Sequence, residues 1–438
     1  MARTGGAPLP TITDDRALGA ADIQRSLRFN RGDSPYLSRA LGSPTSDNKA
    51  SVSVWLKRTD VSTDNTFFDN YQGTNDRLSM TLVSSTDGDK FSVYQRDSSG
   101  IVCNLLTTQV FRDPSAWYHI LVAFDTTQGA AADRVKIYVN GTQITAFDTS
   151  TYFSQNHNLR AGSGYTTNVG RYGAGSNYFG GYLAEFNYID GQQLSPTDVG
   201  FTDSQTGIWM PRRYEGTYGN NGFYLDFSDN SSTAALGIDK SPNGNDFTTN
   251  NFSVSAGVGN DSVSDTPTNN FPTFNAVDLG ASATLSNGNM DIETATGSSI
   301  SYANFPIPSS GKWFMEATMI NNGLNYSPFI VATNYLGVSD TTYTDSNLAY
   351  YITGNKRKNN TESSYGASFT QNDVIGVAID VDNNEVTFYK NGASQGAISF
   401  TFAAGVDYFF AATDGSSYGT GAYSWNFGQR PFVYTQPT

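Results

Sequence analysis

Paired carboxyl groups are the first catalytic feature that the acidic residues of this chain could form. It has six glutamates, no two within about twenty residues of each other: Glu185, Glu215, Glu293, Glu316, Glu362 and Glu385. A retaining glycosidase needs two carboxyl groups about 5–5.5 Å apart, which one strand can supply from a single face. Asp380 and Asp382 do share a face, but an acidic strand end leading into a turn is their ordinary role. The sequence predicts no catalytic pair.

Histidine, serine and cysteine supply no other catalytic centre. His119 and His157 are the only histidines, and neither lies near a recognisable nucleophile or a Gly-x-Ser-x-Gly motif. Cys103 is the single cysteine, so the chain has neither an intrachain disulfide nor a cysteine metal site. We therefore expect a protein that is not an enzyme, with no catalytic residues, no metal site and no cofactor.

Tyrosines in segments rich in Gly, Ser and Asn suggest a different chemistry. Exposed aromatic rings stack on the faces of sugars, and neighbouring amides hydrogen-bond to hydroxyl groups. An alternative is that the rings cover the ends of the fold or form subunit contacts. The candidate glycan-binding residues are Tyr165, Arg171, Tyr172, Tyr178, Tyr343 and Tyr351.

The elements that position these residues are predicted to be strands. In residues 373–400, apolar residues alternate with a period of two, and Asn391-Gly392 is a strong hairpin signal. Residues 117–147 repeat the same plan, with an apolar strand, a polar turn and a strand ending in Tyr-Val-Asn-Gly. Two copies of one construction predict two β-domains that are built alike.

Composition and charge exclude several classes of partner. Charged residues make up 15% of the 438 residues, and the net charge is −14. A duplex-binding protein needs clustered Lys and Arg, so we expect no nucleic acid partner. No run of about 18 apolar residues occurs, so we expect no membrane insertion. The N-terminal stretch MARTGGAPLPTITDD lacks the apolar centre of a signal peptide, which predicts assembly in a cytoplasm.

Residues 168–195 carry a family resemblance. Their motifs are Val169-Gly170-Arg171, Phe179-Gly180-Gly181-Tyr182, Ala184-Glu185-Phe186 and Asp190-Gly191 before Leu194-Ser195. This pattern resembles the laminin-G-like, concanavalin-A-like jelly rolls over roughly residues 26–213. The resemblance implies a β-sandwich, and it leaves a structural calcium open without identifying its ligands.

The second half of the chain resembles another family. Gly311-Lys312-Trp313-Phe314-Met315-Glu316, followed by Asp-Val-Ile-Gly-Val-Ala-Ile-Asp and Phe-Tyr-Lys-Asn-Gly, is similar to the SPRY domain over about residues 270–433. We therefore predict an all-β chain of two concanavalin-A-like antiparallel β-sandwiches, or jelly rolls. The predicted parts are an N-terminal attachment arm (1–24), a laminin-G-like sandwich (25–215), an ordered connector (216–270) and a SPRY-like sandwich (271–438).

The order of these parts resembles tail-fibre and other virion surface proteins of marine bacteriophages. The resemblance implies a non-enzymatic tail or capsid fibre on the virion surface, whose lectin-like domains adhere to a host-surface glycan or receptor. It implies attachment to other virion proteins through the arm. Weak sugar sites gain from multivalency, so we expect a homo-oligomer, with a trimer favoured. Two alternatives remain open, a purely structural capsid decoration or spacer protein and a glycan depolymerase.

Overall fold

The protein is almost entirely β-structure. The computed structural model describes residues 2–3, 21–61, 63–280, 283–294, 300–322, 326–333, 347–358, 361–413 and 421–437. Strands make up 48% of it and helices 3%, which confirms the predicted all-β class and its jelly rolls. The helical segments in these ranges are short 3-10 turns: Arg31–Asp33, Ala131–Asp133, Pro196–Asp198 and Ala234–Gly237. Over the same ranges, no helix is long and apolar enough to cross a membrane.

The chain divides into two compact units. The first unit comprises Pro10–Val254 and Asn260–Asn270, and the second comprises Met1–Leu9, Ser255–Gly259 and Phe271–Thr438. The first described strand, β1 (Ala2–Arg3), belongs to the second unit, where it pairs with residues 313–314.

The first unit contains two large antiparallel sheets. Its strands are β2 (Ser26–Phe29), β3 (Tyr36–Ala40), β4 (Lys49–Arg58), β5 (Asn65–Gly73), β6 (Asp76–Val83), β7 (Lys90–Asp97), β8 (Gly100–Val110), β9 (Trp117–Asp125), β10 (Val135–Val139), β11 (Thr142–Ile144), β12 (Phe147–Thr151), β13 (Thr166–Val169), β14 (Gly181–Asp190), β15 (Gly200–Thr202), β16 (Trp209–Pro211), β17 (Phe223–Leu225), β18 (Thr248–Asn250) and β19 (Ser262–Val263). Sheet A has the order β11-β10-β9-β4-β14-β2-β19, with β17 also paired to β14, and sheet B has the order β12-β8-β7-β6-β5-β13-β3-β18. Strands β15 and β16 form a separate pair.

The core of the first unit lies between sheets A and B. Alternate residues of β4, Val52, Val54 and Leu56, are buried in it, because successive side chains of a strand point to opposite faces. Sheet B contributes inward residues such as Phe68 and Val169 to the same cluster. Strands β17, β18 and β19 fall within residues 216–270 and add to sheets A and B.

Two buried ion pairs tie residues 260–270 to sheet A. Lys57 Nζ lies 2.9 Å from a carboxylate oxygen of Asp265, and both side chains are fully buried. Trp117 Nε1 donates to the other oxygen of Asp265 at 3.0 Å. Arg28 and Asp261 form a second pair at 3.0 Å. A buried charge is costly without its partner, so removal of either carboxylate would leave a buried cation without its counter-charge.

The second unit is also built from two sheets. Its other strands are β20 (Ala283–Ser286), β21 (Asp291–Thr294), β22 (Ile300–Tyr302), β23 (Lys312–Asn322), β24 (Tyr326–Thr333), β25 (Asn347–Tyr351), β26 (Asn355–Lys358), β27 (Thr361–Ser364), β28 (Val374–Asp380), β29 (Glu385–Lys390), β30 (Ala393–Ser399), β31 (Asp407–Thr413) and β32 (Gly421–Asn426). Sheet C has the order β20-β21-β32-β23-β28-β29-β30, and sheet D has the order β22-β31-β24-β25-β26-β27.

The repeated hairpin plan appears in both units. Strands β9, β10 and β11 form one edge of sheet A, and β28, β29 and β30 form one edge of sheet C. The turn residues Asn140 and Gly141 have φ of 47° and 77°, and Asn391 and Gly392 have φ of 48° and 79°. Both pairs thus adopt positive φ at two successive positions, which a two-residue hairpin turn favours and Asn-Gly tolerates.

Candidate functional site

The outer face of sheet B carries a group of polar residues on neighbouring strands. Asp69 of β5 is paired with Asn168 of β13, and each directly adjoins an inward residue, Phe68 and Val169 respectively. Because side chains alternate along a strand, Asp69 and Asn168 lie side by side on the outer face. Both are nonetheless fully buried, since the chain after β13 covers them.

The covering loop, residues 170–180, begins with a sharp bend. Gly170 has a φ of 92°, and a Cβ there would lie 2.4 Å from the ring of Phe29, so only glycine fits. The loop then closes on itself, because Tyr172 N–H donates to Ser176 O at 2.8 Å and Ser176 N–H donates back at 3.0 Å. The N–H of Gly173 donates to Asp69 at 2.7 Å, which holds the loop on the sheet.

Two arginines stack on tyrosine rings beside this loop. The guanidinium carbon of Arg77 lies 3.9 Å from the ring centroid of Tyr172 and 5.1 Å from that of Tyr71. The guanidinium carbon of Arg171 lies 3.5 Å from the ring centroid of Tyr36, and its Nε donates to Asn168 at 3.1 Å. A guanidinium over an aromatic face is attracted by the ring quadrupole, so these contacts fix the orientation of the three rings.

The electrostatics of the site are set by Asp69. Burial raises the pKa of Asp69 to about 7, although the Gly173 N–H and the two arginines, Arg77 and Arg171, act to lower it. One carboxyl oxygen of Asp69 and two guanidinium nitrogens of Arg77, Nε and Nη1, have no hydrogen-bond partner among the described residues. The site therefore contains buried polar atoms with unused hydrogen-bonding capacity.

We call this group the aromatic–arginine cluster; it consists of Tyr36, Asp69, Tyr71, Arg77, Asn168, Arg171, Tyr172 and Tyr178. It combines half-buried aromatic rings with charged and amide hydrogen-bonding groups. Such a surface can stack on the apolar face of a sugar and hydrogen-bond to its hydroxyl groups. One face of Tyr172 and one of Tyr36 carry a guanidinium, so a sugar would stack on the opposite face.

The structure brings some of the predicted site residues together and separates others. Arg171, Tyr172 and Tyr178 lie in the cluster, and Tyr178 contacts Tyr36 with ring centroids 6.5 Å apart. Tyr165 precedes β13, whereas Arg171 and Tyr172 follow it. The pKa of the Tyr165 hydroxyl is raised, mainly by burial and to a smaller extent by a hydrogen bond with Asp76.

The two candidates in the second unit have different outcomes. Tyr351 is the last residue of β25 and is 5% exposed, packed in a hydrophobic cluster with Ile300, Tyr302 and Ala349. Its ring is part of the interior packing of this unit. Tyr343 lies outside the residues that the structure describes.

Sequence reasoning did not identify Asp69, Arg77, Tyr36 or Tyr71. These residues belong to β5, β6 and β3, and they reach the loop after β13 only through strand pairing. Asp69 and Asn168 are almost one hundred residues apart in the chain, and no local sequence motif indicates that they are paired across β5 and β13.

The acidic pair and the histidines that were candidates for catalysis have ordinary structural surroundings. Asp380 accepts hydrogen bonds from Asn383, and Asp382 accepts one from the Gly311 N–H at 3.0 Å, so both carboxylates stabilise turns. His119 is fully buried between Ser53 and Trp209, and burial lowers its pKa to about 3. Among the described residues, no group of three or more His, Cys, Asp or Glu is arranged to hold a metal ion.

Two family models match separate parts of the chain. Residues 31–200 match the model of the laminin-G type in the concanavalin A-like lectin/glucanases superfamily. Residues 331–419 match the SPRY domain model. A curated relative, the E3 ubiquitin-protein ligase RKP of Arabidopsis thaliana, is 32% identical over 132 residues, which are 28% of this chain and 10% of the relative. The chain thus spans about a tenth of that relative's length.

Solved structures show distant similarity to parts of the chain. The SPRY domain of human HERC1 is 19% identical, with a TM-score of 0.30, over 36% of this chain and 99% of that one. A putative carbohydrate binding protein from Bacteroides ovatus is 17% identical, with a TM-score of 0.36, over 52% of this chain and 59% of that one. A heptameric pentraxin from Limulus polyphemus is 17% identical, with a TM-score of 0.30, over 40% of this chain and 80% of that one. From the two family matches, the chain contains a laminin-G-like, concanavalin-like domain followed by a SPRY domain.

Proposed function

We propose that this protein is a non-enzymatic, glycan-binding component of a virion surface, and that the aromatic–arginine cluster holds the sugar. The observation that carries the glycan proposal is the pair of half-buried tyrosine rings, Tyr172 and Tyr36, each oriented by a stacked guanidinium group. The match of residues 31–200 to a superfamily that includes lectins supports it. The half-buried side chain of Arg171 carries guanidinium donors that can bond to sugar hydroxyls.

The virion location rests on the order of the domains. A short arm, a laminin-G-like domain and a SPRY domain resemble the surface proteins of marine bacteriophages, in which lectin-like domains face the host. In this proposal the arm attaches to other virion proteins, and a trimer or another closed ring displays several weak sites together. Protein mass spectrometry of purified particles, and sedimentation of the isolated chain, test these two points. A monomeric chain that is absent from particles would contradict them.

The sugar site is tested by substitution in the cluster. A single shallow sugar site binds in the millimolar range, about −4 kcal/mol. We expect Tyr172→Ala and Arg171→Ala each to weaken binding of the full-length protein to host-surface polysaccharide about tenfold, a loss of about 1.4 kcal/mol. Tyr152→Ala is the matched control, because Tyr152 is also half-buried in the first unit but follows β12, at the far edge of sheet B.

The outcomes distinguish the alternatives. If neither cluster variant changes adsorption while Tyr152→Ala also has no effect, the protein is a structural decoration or spacer. Shortening of the polysaccharide during incubation, measured by size-exclusion chromatography, would instead identify a depolymerase.

A further inference from the structure

A polar cleft lies in the first unit, near the point where β17 pairs with β14 of sheet A. This cleft has a volume of about 390 Å³, and its polar lining includes Asp22, Gln24, Glu185, Arg213, Tyr224 and Asp226. The volume is at the small end of the range for ligand sites, so it suits a small molecule. None of these residues belongs to the aromatic–arginine cluster, which lies on sheet B.

Glu185 reaches the cleft through a β-bulge. Ala184 of β14 pairs with Trp55 of β4, and Asn187 pairs with Ser53, so three steps along β14 face two steps along β4. Glu185 has a φ of 49°, which is unusual for a residue with a side chain. The extra residue breaks the strict alternation of the strand, and a bulge of this kind re-aims a side chain. Glu185 thereby lines the cleft although it is only 8% exposed.

The carboxyl group of Glu185 is only half satisfied. The hydroxyl of Tyr224 donates to Oε2 at 2.7 Å. No hydrogen bond to the other oxygen, Oε1, is found among the described residues, and Glu185 lines the cleft although the residue is more than nine-tenths buried. Asp226 also faces the cleft, and its oxygens accept from the N–H and the hydroxyl of Ser228 at 3.0 and 2.9 Å.

The charges of the lining favour a cation. Three carboxyl groups, of Asp22, Glu185 and Asp226, face one guanidinium, that of Arg213, so the cleft is net negative when Glu185 is ionised. The described residues hold no arrangement of three or more carboxylate, imidazole or thiolate groups suited to a metal ion. An ammonium group has three donors and one charge, and it can bond separated carboxylates without the tight geometry that a metal requires.

We propose that this cleft binds a small, hydroxyl-bearing organic ammonium ligand, whose ammonium group contacts Glu185 and Asp226. The side chains of Gln24, Arg213 and Ser228 lie around it and bond the hydroxyl groups. The proposal is independent of the glycan site, because it depends on different residues on a different sheet.

A matched pair of ligands tests the proposal on the full-length protein. 1-Amino-1-deoxysorbitol and sorbitol differ only in an ammonium group, and isothermal titration calorimetry at pH 8 measures both. We expect saturable binding of the amine with a Kd of about 1 mM, and at least about tenfold weaker binding of sorbitol. We expect Glu185→Gln to reduce affinity for the amine about tenfold, whereas the exposed residue Glu385 of the second unit, changed to Gln, leaves it unchanged.

The pH dependence supplies an independent readout. Burial raises the pKa of Glu185 to about 7, and Asp226 adds to this rise, while Tyr224 and Arg213 act to lower the pKa. Tyr218 and Asp22 are the other titratable groups facing this region. An aliphatic amine with a pKa near that of lysine stays charged from pH 6 to pH 8, so the ionised fraction of Glu185 rises about tenfold and the affinity should rise by the same factor. Glu185→Gln should abolish most of this rise.

Asp22→Asn protects the test against a folding defect of the Glu185 variant. Asp22 is exposed, so its substitution should lower the affinity about twofold to threefold and leave the unfolding temperature unchanged. Equal affinity for sorbitol and the amine, no detectable binding of the amine at about 10 mM, or affinity that is indifferent to both acidic substitutions would each overturn the proposal.

Discussion

The backbone of the bulge at Glu185 makes an unusual prediction about stability. We expect Glu185→Gly to be more stable than Glu185→Ala, which is the reverse of the normal order in a strand. In an ordinary strand, glycine is less favourable than alanine by about 0.5–1 kcal/mol because it loses more backbone entropy. Glu185 has a φ of 49°, where a residue with a Cβ costs roughly 1–2 kcal/mol and glycine does not.

The side-chain terms cancel in this comparison. Both substitutions remove the carboxyl group that accepts from Tyr224 at 2.7 Å, and both leave the same buried hydroxyl behind. The relief of strain exceeds the entropic cost of glycine, so the glycine variant should be more stable by about 0.5–1 kcal/mol. In a unit of this size that corresponds to a difference in melting temperature of about 1–4 °C.

Differential scanning calorimetry of the two variants measures this difference, and Ala184→Gly is the control. Ala184 is the preceding residue, is fully buried and is not among the positive-φ residues, so its change to glycine should lower the melting temperature. A glycine variant at 185 that melts below the alanine variant would refute the assignment of backbone strain to this position.

Three further predictions concern buried groups. Burial raises the pKa of Asp69 to about 7, so the stability that this carboxyl group contributes is complete below about pH 4 and is lost as the pH rises to about 7. The melting temperature of Asp69→Asn, relative to that of the native protein, should therefore increase between pH 5 and pH 7. A difference that stays constant over this range would mean that Asp69 is ionised throughout. Cys103 is fully buried, and burial raises the pKa of its thiol, so a thiol reagent should label it only at the rate at which the first unit opens; immediate labelling in native buffer would contradict its position in the core. Lys57→Met should destabilise the protein by about 3–5 kcal/mol because it removes the cation that compensates the buried charge of Asp265. Adding Asp265→Leu should recover part of this loss, as measured by denaturant titration. Additive effects of the two changes would argue against a coupled pair.

Local signals predicted the architecture well, and non-local pairing determined the site. The Asn391-Gly392 turn and the alternation around it depend on neighbouring residues, so the hairpins form where the sequence placed them. The guanidinium of Arg77 meets Tyr172 only because β6 pairs with β5 and β5 with β13, and that register is set by the whole sandwich.

The cleft illustrates the same limit more sharply. Glu185 and Asp226 are 41 residues apart, so a search for carboxylates on one strand does not find them together. They meet because β17 pairs with β14 and because a single extra residue re-aims Glu185. Neither the pairing nor the bulge has a sequence signal as strong as a turn motif. Tyr351 shows the opposite case, since a tyrosine at a strand end looks like a loop residue in sequence and is interior in the structure.

The buried pairs of Lys57 with Asp265 and of Arg28 with Asp261 bear on how the chain matures during translation. A ribosome that has released only residues up to about 215 has delivered both cations but neither of their carboxylate partners. Until residues 261–265 emerge, the nascent first unit must keep these cations hydrated, and sheet A remains without β19. Completion of the first unit is thereby deferred until residues 260–270 have been synthesised. Expression fragments that end near residue 215 would arrest at this incomplete stage and recruit chaperones, whereas fragments that extend past residue 270 would not.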